Sequence, residues 1–372
     1  MIEGRGTGEL PYLFYKNASA LIHGYDGSMP FHLYLKERFR QNKNWGSKDR
    51  KRYRACCYHF WRNAVGVSRN NADDILSYLK THFPADITPQ QPGTDTTPYG
   101  SFSTHLSKSL SAEILSPWFQ TEPCVWIRTL NNKEKQVQKA LEQQQIEILA
   151  HQGPAFAVSS QADLQTILDA GIAYIQDIGS QQAMDWSDSD MAKYCTADHR
   201  IWDCCAGAGG KSLTLLQNYP NAQIHCSDVR KNILENLQKR FQSLQLKEPQ
   251  TQVLDLSQEK SRQSYHVVVA DVPCSGSGTW RRNPENLHFF MQSEINVYAH
   301  RQQTILNHLS DSVLTGGYLV YLTCSVFQAE NESNVAMFIE NHPEYHCIEQ
   351  KFCGGNENNG DFIYRAVLQR IG

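Results

Sequence analysis

Ile201-Trp202-Asp203 runs directly into Cys204-Cys205-Ala206-Gly207-Ala208-Gly209-Gly210-Lys211-Ser212, and helix-compatible Leu213 to Gln217 follows. A strand, a glycine-rich turn and a helix N-terminus form a place where backbone N–H groups collect against a ligand. Two familiar readings each fail by one residue. A dinucleotide fingerprint counted from Gly207 and Gly209 needs a third glycine where Ser212 stands, and a phosphate-binding loop ending at Gly210 needs glycine where Cys205 stands. The plain alternative, glycines for tight packing only, is weakened by the acids downstream.

Past Gly171 the chain alternates strand-like and helix-like segments. Candidate strands end near Asp203, Asp228, Asp255, Asp271 and Thr323. Such alternation implies parallel strands with right-handed crossovers, an α/β doubly wound sheet. Four of the five strands are read as ending on a carboxylate, and ligands of such sheets bind beyond the carboxyl ends of the strands. Asp228, about twenty residues after the turn, is placed to accept from ribose hydroxyls. Asp255, closing Gln252-Val253-Leu254, is placed to accept from an adenine amino group. With the glycine turn, these acids imply an adenosine-containing ligand, NAD or S-adenosylmethionine.

At 372 residues the chain is too long for one ordinary domain, and its 40% hydrophobic content suffices for a sizeable core. No stretch approaches the roughly twenty apolar residues of a membrane span, so no membrane partner is expected. Met1 to Arg5 leads into polar sequence rather than a signal-peptide core, and Ile2-Glu3-Gly4-Arg5 is compatible with a protease-site scar. Eleven cysteines, an odd number without a Cys-x-x-Cys pair, argue against disulfide staples or a thiolate zinc site. No metal is expected, and free thiols point to a reducing cytoplasm. The expected oligomeric state is a monomer.

Net charge is −3, yet Lys36 to Arg62 holds ten Lys/Arg against Glu37 and Asp49, a local +8 that leaves −11 elsewhere. Such an island is either a solvated helix face or an electrostatic footprint for nucleic acid. Tyr53, Cys57, Phe60 and Trp61 recur at helical spacing, and Ser47 is the expected N-cap of that helix. Residues 1–83 are read as a helical domain, and 84–105, with Pro84, Pro89, Pro92 and Pro98, as a linker. Residues 106–170 are read as a small α/β (RRM-like) subdomain, with strands at 124–127 and 155–158 and a helix at 133–145 between them. Residues 171–372 carry the doubly wound sheet.

His266 to Ala270 is a buried-strand pattern ending in Asp271-Val272-Pro273-Cys274-Ser275-Gly276-Ser277-Gly278; Gly316 to Leu322 ends in Thr323-Cys324-Ser325. As the fourth and fifth strands of a methyltransferase-type sheet these are neighbours, so both thiols should meet over one pocket. A cysteine is ordinarily an inert, small buried hydrophobe. Cys56, Cys57, Cys195, Cys226, Cys347 and Cys353 take that reading. Cys274 and Cys324 do not, because each leaves a strand into a turn beside the expected ligand pocket.

These residues resemble the Sun/Fmu-type (RsmB-like) RNA cytosine-C5 methyltransferases. Cys205 to Ser212 is similar to that family's Cys-Ala-Ala-Pro-Gly-Gly-Lys-Thr cofactor motif, with Gly207 and Ala208 in place of Ala-Pro. Asp271 to Gly278, followed by Arg281-Arg282-Asn283-Pro284, resembles its Asp-x-Pro-Cys-Ser-Gly-x-Gly segment. Tyr321 to Ser325 with Glu330-Asn331-Glu332 resembles its Thr-Cys-Ser segment. Gln176 to Ser180 resembles its Gln-Asp-x-x-Ser element, and Gly360-Asp361-Phe362 its closing strand. The likeness runs from about Trp118 to the C-terminus. Residues Gly46 to Arg50 and Arg62 faintly resemble the NusB-like RNA-binding domain of some members, and no appended RNA-binding domain is expected after Gly372.

The resemblance implies a Rossmann-like fold, S-adenosylmethionine held by Cys205, Ala206, Gly207, Ala208, Gly209, Gly210, Lys211, Asp228, Asp255 and Asp271, and methylation of RNA, ribosomal in preference to tRNA. It assigns addition to cytosine carbon 6 to Cys324 and help with product release to Cys274. DNA cytosine methyltransferases use the Pro-Cys thiol instead, and the Thr-Cys-Ser element favours the RNA assignment. Asp271 is the expected partner of ring nitrogen 3 and the exocyclic amine. Lys211 is expected to lower a thiol pKa or contact the base. Arg281 and Arg282, with Arg50 and Arg54 of the basic helix, are candidate phosphate contacts. Two alternatives remain: an amino-group methyltransferase, which needs no cysteine, and a non-catalytic RNA-binding or ribosome-assembly module.

Overall fold

A computed structural model describes residues 11–83, 97–186, 191–192 and 199–372. Cys195, Ile2 to Arg5 and most of the expected linker lie outside the described residues. The chain divides into two compact units, one of 1–104, 110–122 and 280–291, the other of 105–109, 123–279 and 292–372.

The first unit is built on α1 (Tyr12–His23), α2 (Phe31–Gln41), α3 (Ser47–Asn63) and α4 (Ala72–His82). Their apolar faces close on one core containing Ile22, Phe31, Leu35, Tyr53, Cys57, Phe60, Trp61, Ile75 and Leu79. Ser47 is the first helical residue of α3 rather than its cap. Gly46 takes the cap position, because its carbonyl accepts from Arg50 N at 3.0 Å and its N–H is satisfied by Asp49 Oδ2 at 3.0 Å.

The second unit carries two sheets. The smaller has β1 (Val125–Thr129), β2 (Ile148–Gln152), β3 (Ala155–Val158) and β4 (Ala173–Ile175), in the order β2-β3-β1-β4 with every pairing antiparallel. Helices at Glu134–Gln143 and Gln165–Asp169 make its chain order β-α-β-β-α-β. Its fourth strand comes from beyond residue 170, and β2 is largely exposed, so it does not show the alternation of a half-buried strand.

The larger sheet has β5 (Arg200–Asp203), β6 (Gln223–Asp228), β7 (Gln250–Val253), β8 (Tyr265–Asp271), β9 (Val313–Thr323), β10 (Tyr345–Gly354) and β11 (Phe362–Arg370). Its order is β10-β11-β9-β8-β5-β6-β7, parallel from β9 to β7, with β11 antiparallel to both its neighbours. The chain crosses from β7 to β8 on opposite sides of β5 and β6, which creates the switch point where such sheets bind ligands. Strand β8 shows why the sheet is covered on both faces. Val267 and Val269 join Leu213, Leu237 and Phe241 on one side, while Val268 and Ala270 join Ile305, Leu309 and Phe338 on the other. Asp203, Asp228 and Asp271 do end strands; Asp255 lies two residues past β7 in a turn closed by Ser257.

Candidate active site

The glycine turn leaves β5 and opens the helix Gly210–Asn218. Gly207 and Gly209 have φ of 53° and 78°, the left-handed region that glycine enters without a Cβ penalty. At Gly209 a Cβ would also stand 2.6 Å from Leu237 Cγ. Gly207 N donates to Asp228 Oδ2 at 3.0 Å, tying the turn to the end of β6. Gln176 braces the turn from outside: its Nε2 donates to Gly210 O at 3.0 Å, and its Oε1 accepts from Thr214 Oγ1 at 2.7 Å. Asp177 caps the helix Ile178–Ala183 through Gly179 N and also accepts from Asp361 N.

Around this turn lies a cavity of about 590 Å³, bounded by Cys205 to Ala208, Gly210, Lys211, Asp228, Asp255, Asp271, Cys274 and Cys324 among others. The site residues expected on the doubly wound sheet thus line one pocket, except Gly209, which faces Leu237 and Phe241. Burial works against the Asp228 carboxylate, but the side chain and N–H of Arg230 and the N–H of Gly207 outweigh it, and its pKa is lowered. Ser257 lowers Asp255 in the same way, through its hydroxyl first. Asp203 is different. Fully buried, it is pushed up to about 7 despite the Ser212 hydroxyl at 2.5 Å, and its Oδ1 has no hydrogen-bond partner among the described residues.

At the other end of the pocket Lys211 Nζ lies 2.6 Å from Asp271 Oδ2. Burial opposes the ammonium, yet the Asp271 charge prevails and the Lys211 pKa is raised, so the lysine stays protonated. Parallel pairing of β8 with β9 sends the two following loops to the same edge of the sheet, where Cys274 Sγ and Cys324 Sγ are 3.0 Å apart. Cys324 N also donates to Cys274 Sγ at 3.3 Å. A cation, a carboxylate and two facing thiols therefore line one end of the pocket. That set can activate a sulfur nucleophile and polarise a ring beside it.

Sequence reading missed several contributors. Arg230 covers Asp228, Arg301 lines the pocket, and Gln302 Nε2 holds Pro273 O at 3.0 Å. Arg230 had a signal, an Asp-x-Arg spacing at a strand end; Gln302 had none, being a polar residue on a helix of mixed composition. Of the expected phosphate contacts, Arg282 and Arg54 are exposed and Arg50 is partly so. Arg50 and Arg54 line a groove of the helical unit together with Lys36, Lys51, Trp45 and Tyr58. Arg281 is buried, with its guanidinium 5.3 Å from the centre of the Trp118 ring and its carbonyl accepting from Arg62.

The strand order, the glycine turn at the switch point and the pocket it bounds are those of a Rossmann-like methyltransferase fold. Residues 193–367 match the family described as 16S rRNA methyltransferase RsmB/F. That match covers slightly less than half of the chain. Among similar proteins are the ribosomal RNA small subunit methyltransferases B of Yersinia pseudotuberculosis (serotype O:1b, strain IP 31758) and Yersinia pestis (bv. Antiqua, strain Angola). Each is 28% identical over an alignment of 219 residues that covers 54% of this chain and 48% of the relative. The chain thus spans about half the length of these curated relatives. Among solved structures, PH0851 aligns over 97% of this chain and 99% of its own with a TM-score of 0.75 at 17% identity. NSun6 from Pyrococcus horikoshii with SFG aligns over 60% of this chain and 61% of its own, with a TM-score of 0.51 at 20% identity. These two likenesses are of fold.

Proposed function

We propose that this chain transfers a methyl group from S-adenosylmethionine to carbon 5 of a cytosine in RNA, by way of a covalent adduct between Cys324 and carbon 6. The observation that carries this reading is the pair of facing cysteine sulfurs beside Lys211 and Asp271. Transfer to an amino nitrogen uses that nitrogen's own lone pair and has no use for a thiol, whereas carbon 5 becomes nucleophilic only after a thiolate adds to carbon 6.

The pocket fits the cofactor: the turn at Gly207 is open enough that a Cβ would meet none of the described residues within 4 Å, and acceptors stand at Asp228 and Asp255. Gly207 to Gly210 and these two acids would hold the adenosine and amino-acid parts. When bound, S-adenosylmethionine supplies an electrophilic methyl group. Cys324, as thiolate, forms the bond to carbon 6 and pushes the ring electrons towards carbon 5. Asp271 accepts from the exocyclic amine, and the adjacent Lys211 offsets the charge that gathers on the ring. Once carbon 5 is methylated and its proton has passed to a base, the carbon–sulfur bond breaks and its electron pair returns to Cys324. The Cys274 thiol, in contact with that sulfur, stabilises it as it leaves.

The target base must leave its stack to present its face to a thiol. Arg282 and the groove at Arg50 and Arg54 supply phosphate contacts in this reading, and the buried Arg281, packed on Trp118, does not. Ribosomal RNA is preferred as substrate, in line with the names of the matching relatives. Unmodified ribosomal RNA and tRNA, incubated separately with methyl-labelled S-adenosylmethionine and digested to nucleosides, test the proposal. Label in 5-methylcytidine that disappears with Cys324→Ala supports it. Label in another nucleoside, or full activity of the mutant, overturns it.

A further inference from the structure

Glu330 is completely buried, and its two carboxylate oxygens grip the two cysteine loops separately. Oε2 accepts from Ser275 N at 2.9 Å, the amide directly after Cys274, and from Gln302 Nε2 at 2.9 Å. The same Gln302 nitrogen holds Pro273 O, directly before Cys274. Oε1 accepts from the Ser325 hydroxyl at 2.6 Å, directly after Cys324. Ser325 Oγ in turn accepts from Phe327 N at 3.1 Å, and the Ser275 hydroxyl donates to it at 3.1 Å, which leaves its own hydrogen for Glu330. All three of these donors to Glu330 are neutral groups, and they reach both of its oxygens. Asn331 continues the clamp, accepting from Thr323 Oγ1 and donating to Ser325 O on either side of Cys324.

A buried negative charge is costly, and loop positioning alone would not require one. Its surroundings give it a second role. Lys211 stands on the pocket side, held in its charged form by Asp271 and, after it, by Cys324, while Glu330 acts on Cys274. Arg301 lines the pocket, the Tyr321 hydroxyl donates to Glu330 O at 2.6 Å, and burial, with the charges of Cys274 and Glu330 after it, raises the pKa of Tyr298. The Cys274 thiol is pushed up by its contact with Cys324, by burial, and by the negative charges of Cys324 and Glu330, against the opposing N–H of Gly276.

Resting on the methyl-transfer reading above, we propose that Glu330 is a positioning residue of this reaction: one carboxylate sets the spacing of the two cysteine loops and keeps the proton on Cys274, leaving Cys324 as the thiolate. Acting through the cysteines, it needs no contact with the base or the cofactor.

Limited alkylation of the whole protein by iodoacetamide, followed by peptide mass spectrometry, reads thiolate character without any methyl transfer. In the wild type Cys324 is expected to react at least about tenfold faster than Cys274 near neutral pH; the reverse order overturns the proposal with no variant needed. In Glu330→Gln, with its melting temperature recorded alongside, this preference is expected to fall about tenfold. There kcat should drop while KM for S-adenosylmethionine stays within about twofold. An unchanged preference overturns the proposal. Ser325→Ala loosens one loop but keeps the charge, so it should lower kcat and retain the preference; loss of the preference there makes it a matter of loop geometry and overturns the charge role. Undiminished 5-methylcytidine formation by Cys324→Ala instead sinks the underlying reading, whatever the order of alkylation.

Discussion

Cys274 and Cys324, fifty residues apart in the chain, bring their sulfurs within 3.0 Å of each other. The approach follows from strand register. Ala270 pairs with Tyr321 and Asp271 with Leu322, so both strands release their loops at the same level of the sheet. Gly278 N then donates to Cys324 O at 2.8 Å and Val326 N to Ser277 Oγ at 2.9 Å, stitching the loops together beyond the thiols.

The two thiols should fail differently when removed. Cys324→Ala is expected to lower methyl transfer by roughly 10⁴-fold or more, as loss of a catalytic nucleophile does. Cys274→Ala should still add to the base but release it slowly, leaving a protein–RNA species that survives a denaturing gel. Equal losses without any such species would contradict the division of labour.

Lys211 and Asp271 form one charge pair at 2.6 Å, so their substitutions should not add. Lys211→Met and Asp271→Asn are each expected to cost about 10²- to 10³-fold in kcat, and the double variant little more than the worse single one. A multiplicative loss, measured by a double-mutant cycle, would show that they act separately.

Gly209→Ala places a Cβ 2.6 Å from Leu237 Cγ on a backbone with φ of 78°. Destabilisation of about 1–3 kcal/mol is expected, through overpacking and the left-handed backbone. Calorimetric titration with S-adenosylmethionine should show weaker binding, since the same peptide shapes the turn. Gly207→Ala meets no neighbour and should act through φ alone. Denaturant unfolding of both variants checks the order.

Asp203 gives a pH signature of opposite sign to an ion-paired acid. Burial raises its folded-state pKa to about 7, from an ordinary value of 3.8, so over that interval the folded protein holds the proton more tightly than the unfolded chain. This group's contribution to stability is therefore greatest at low pH and is lost as pH rises towards 7, by at most about 1.4 kcal/mol per unit. Asp203→Asn should remove that slope. Urea unfolding across the interval, wild type against variant, reads the difference; parallel curves would show that Asp203 does not titrate there.

Much of the catalytic domain was legible because its signals are local. Ile201 to Asp203 and Tyr265 to Asp271 are short apolar runs closed by an acid, and Gly207 and Gly209 mark a backbone few other residues adopt. The parallel strands of the larger sheet and their right-handed crossovers follow from strand–helix alternation. Less was legible where the signal is a partner elsewhere. Three-residue β4 exists because Ala173 to Ile175 pairs with β1, and Trp280 to Met291 groups with the helices although it follows the Cys274 loop in sequence. Ser47 against Gly46 as cap was decided by which N–H Asp49 reaches.

The sequence by itself determined which chemical groups are present and the backbone that carries them. Two cysteines stand after strands, a lysine stands in a glycine turn, and alternating Val/Ile/Leu runs must be buried on both faces. Such properties depend on a few consecutive residues and their hydrophobic period. Only the tertiary structure decided that Lys211 reaches Asp271, that the two sulfurs touch, and that Glu330 grips both loops at once. Those contacts join residues far apart in sequence. Their distances come from strand register and close packing, and a charge buried by that packing acts on its neighbours with a strength no local pattern encodes.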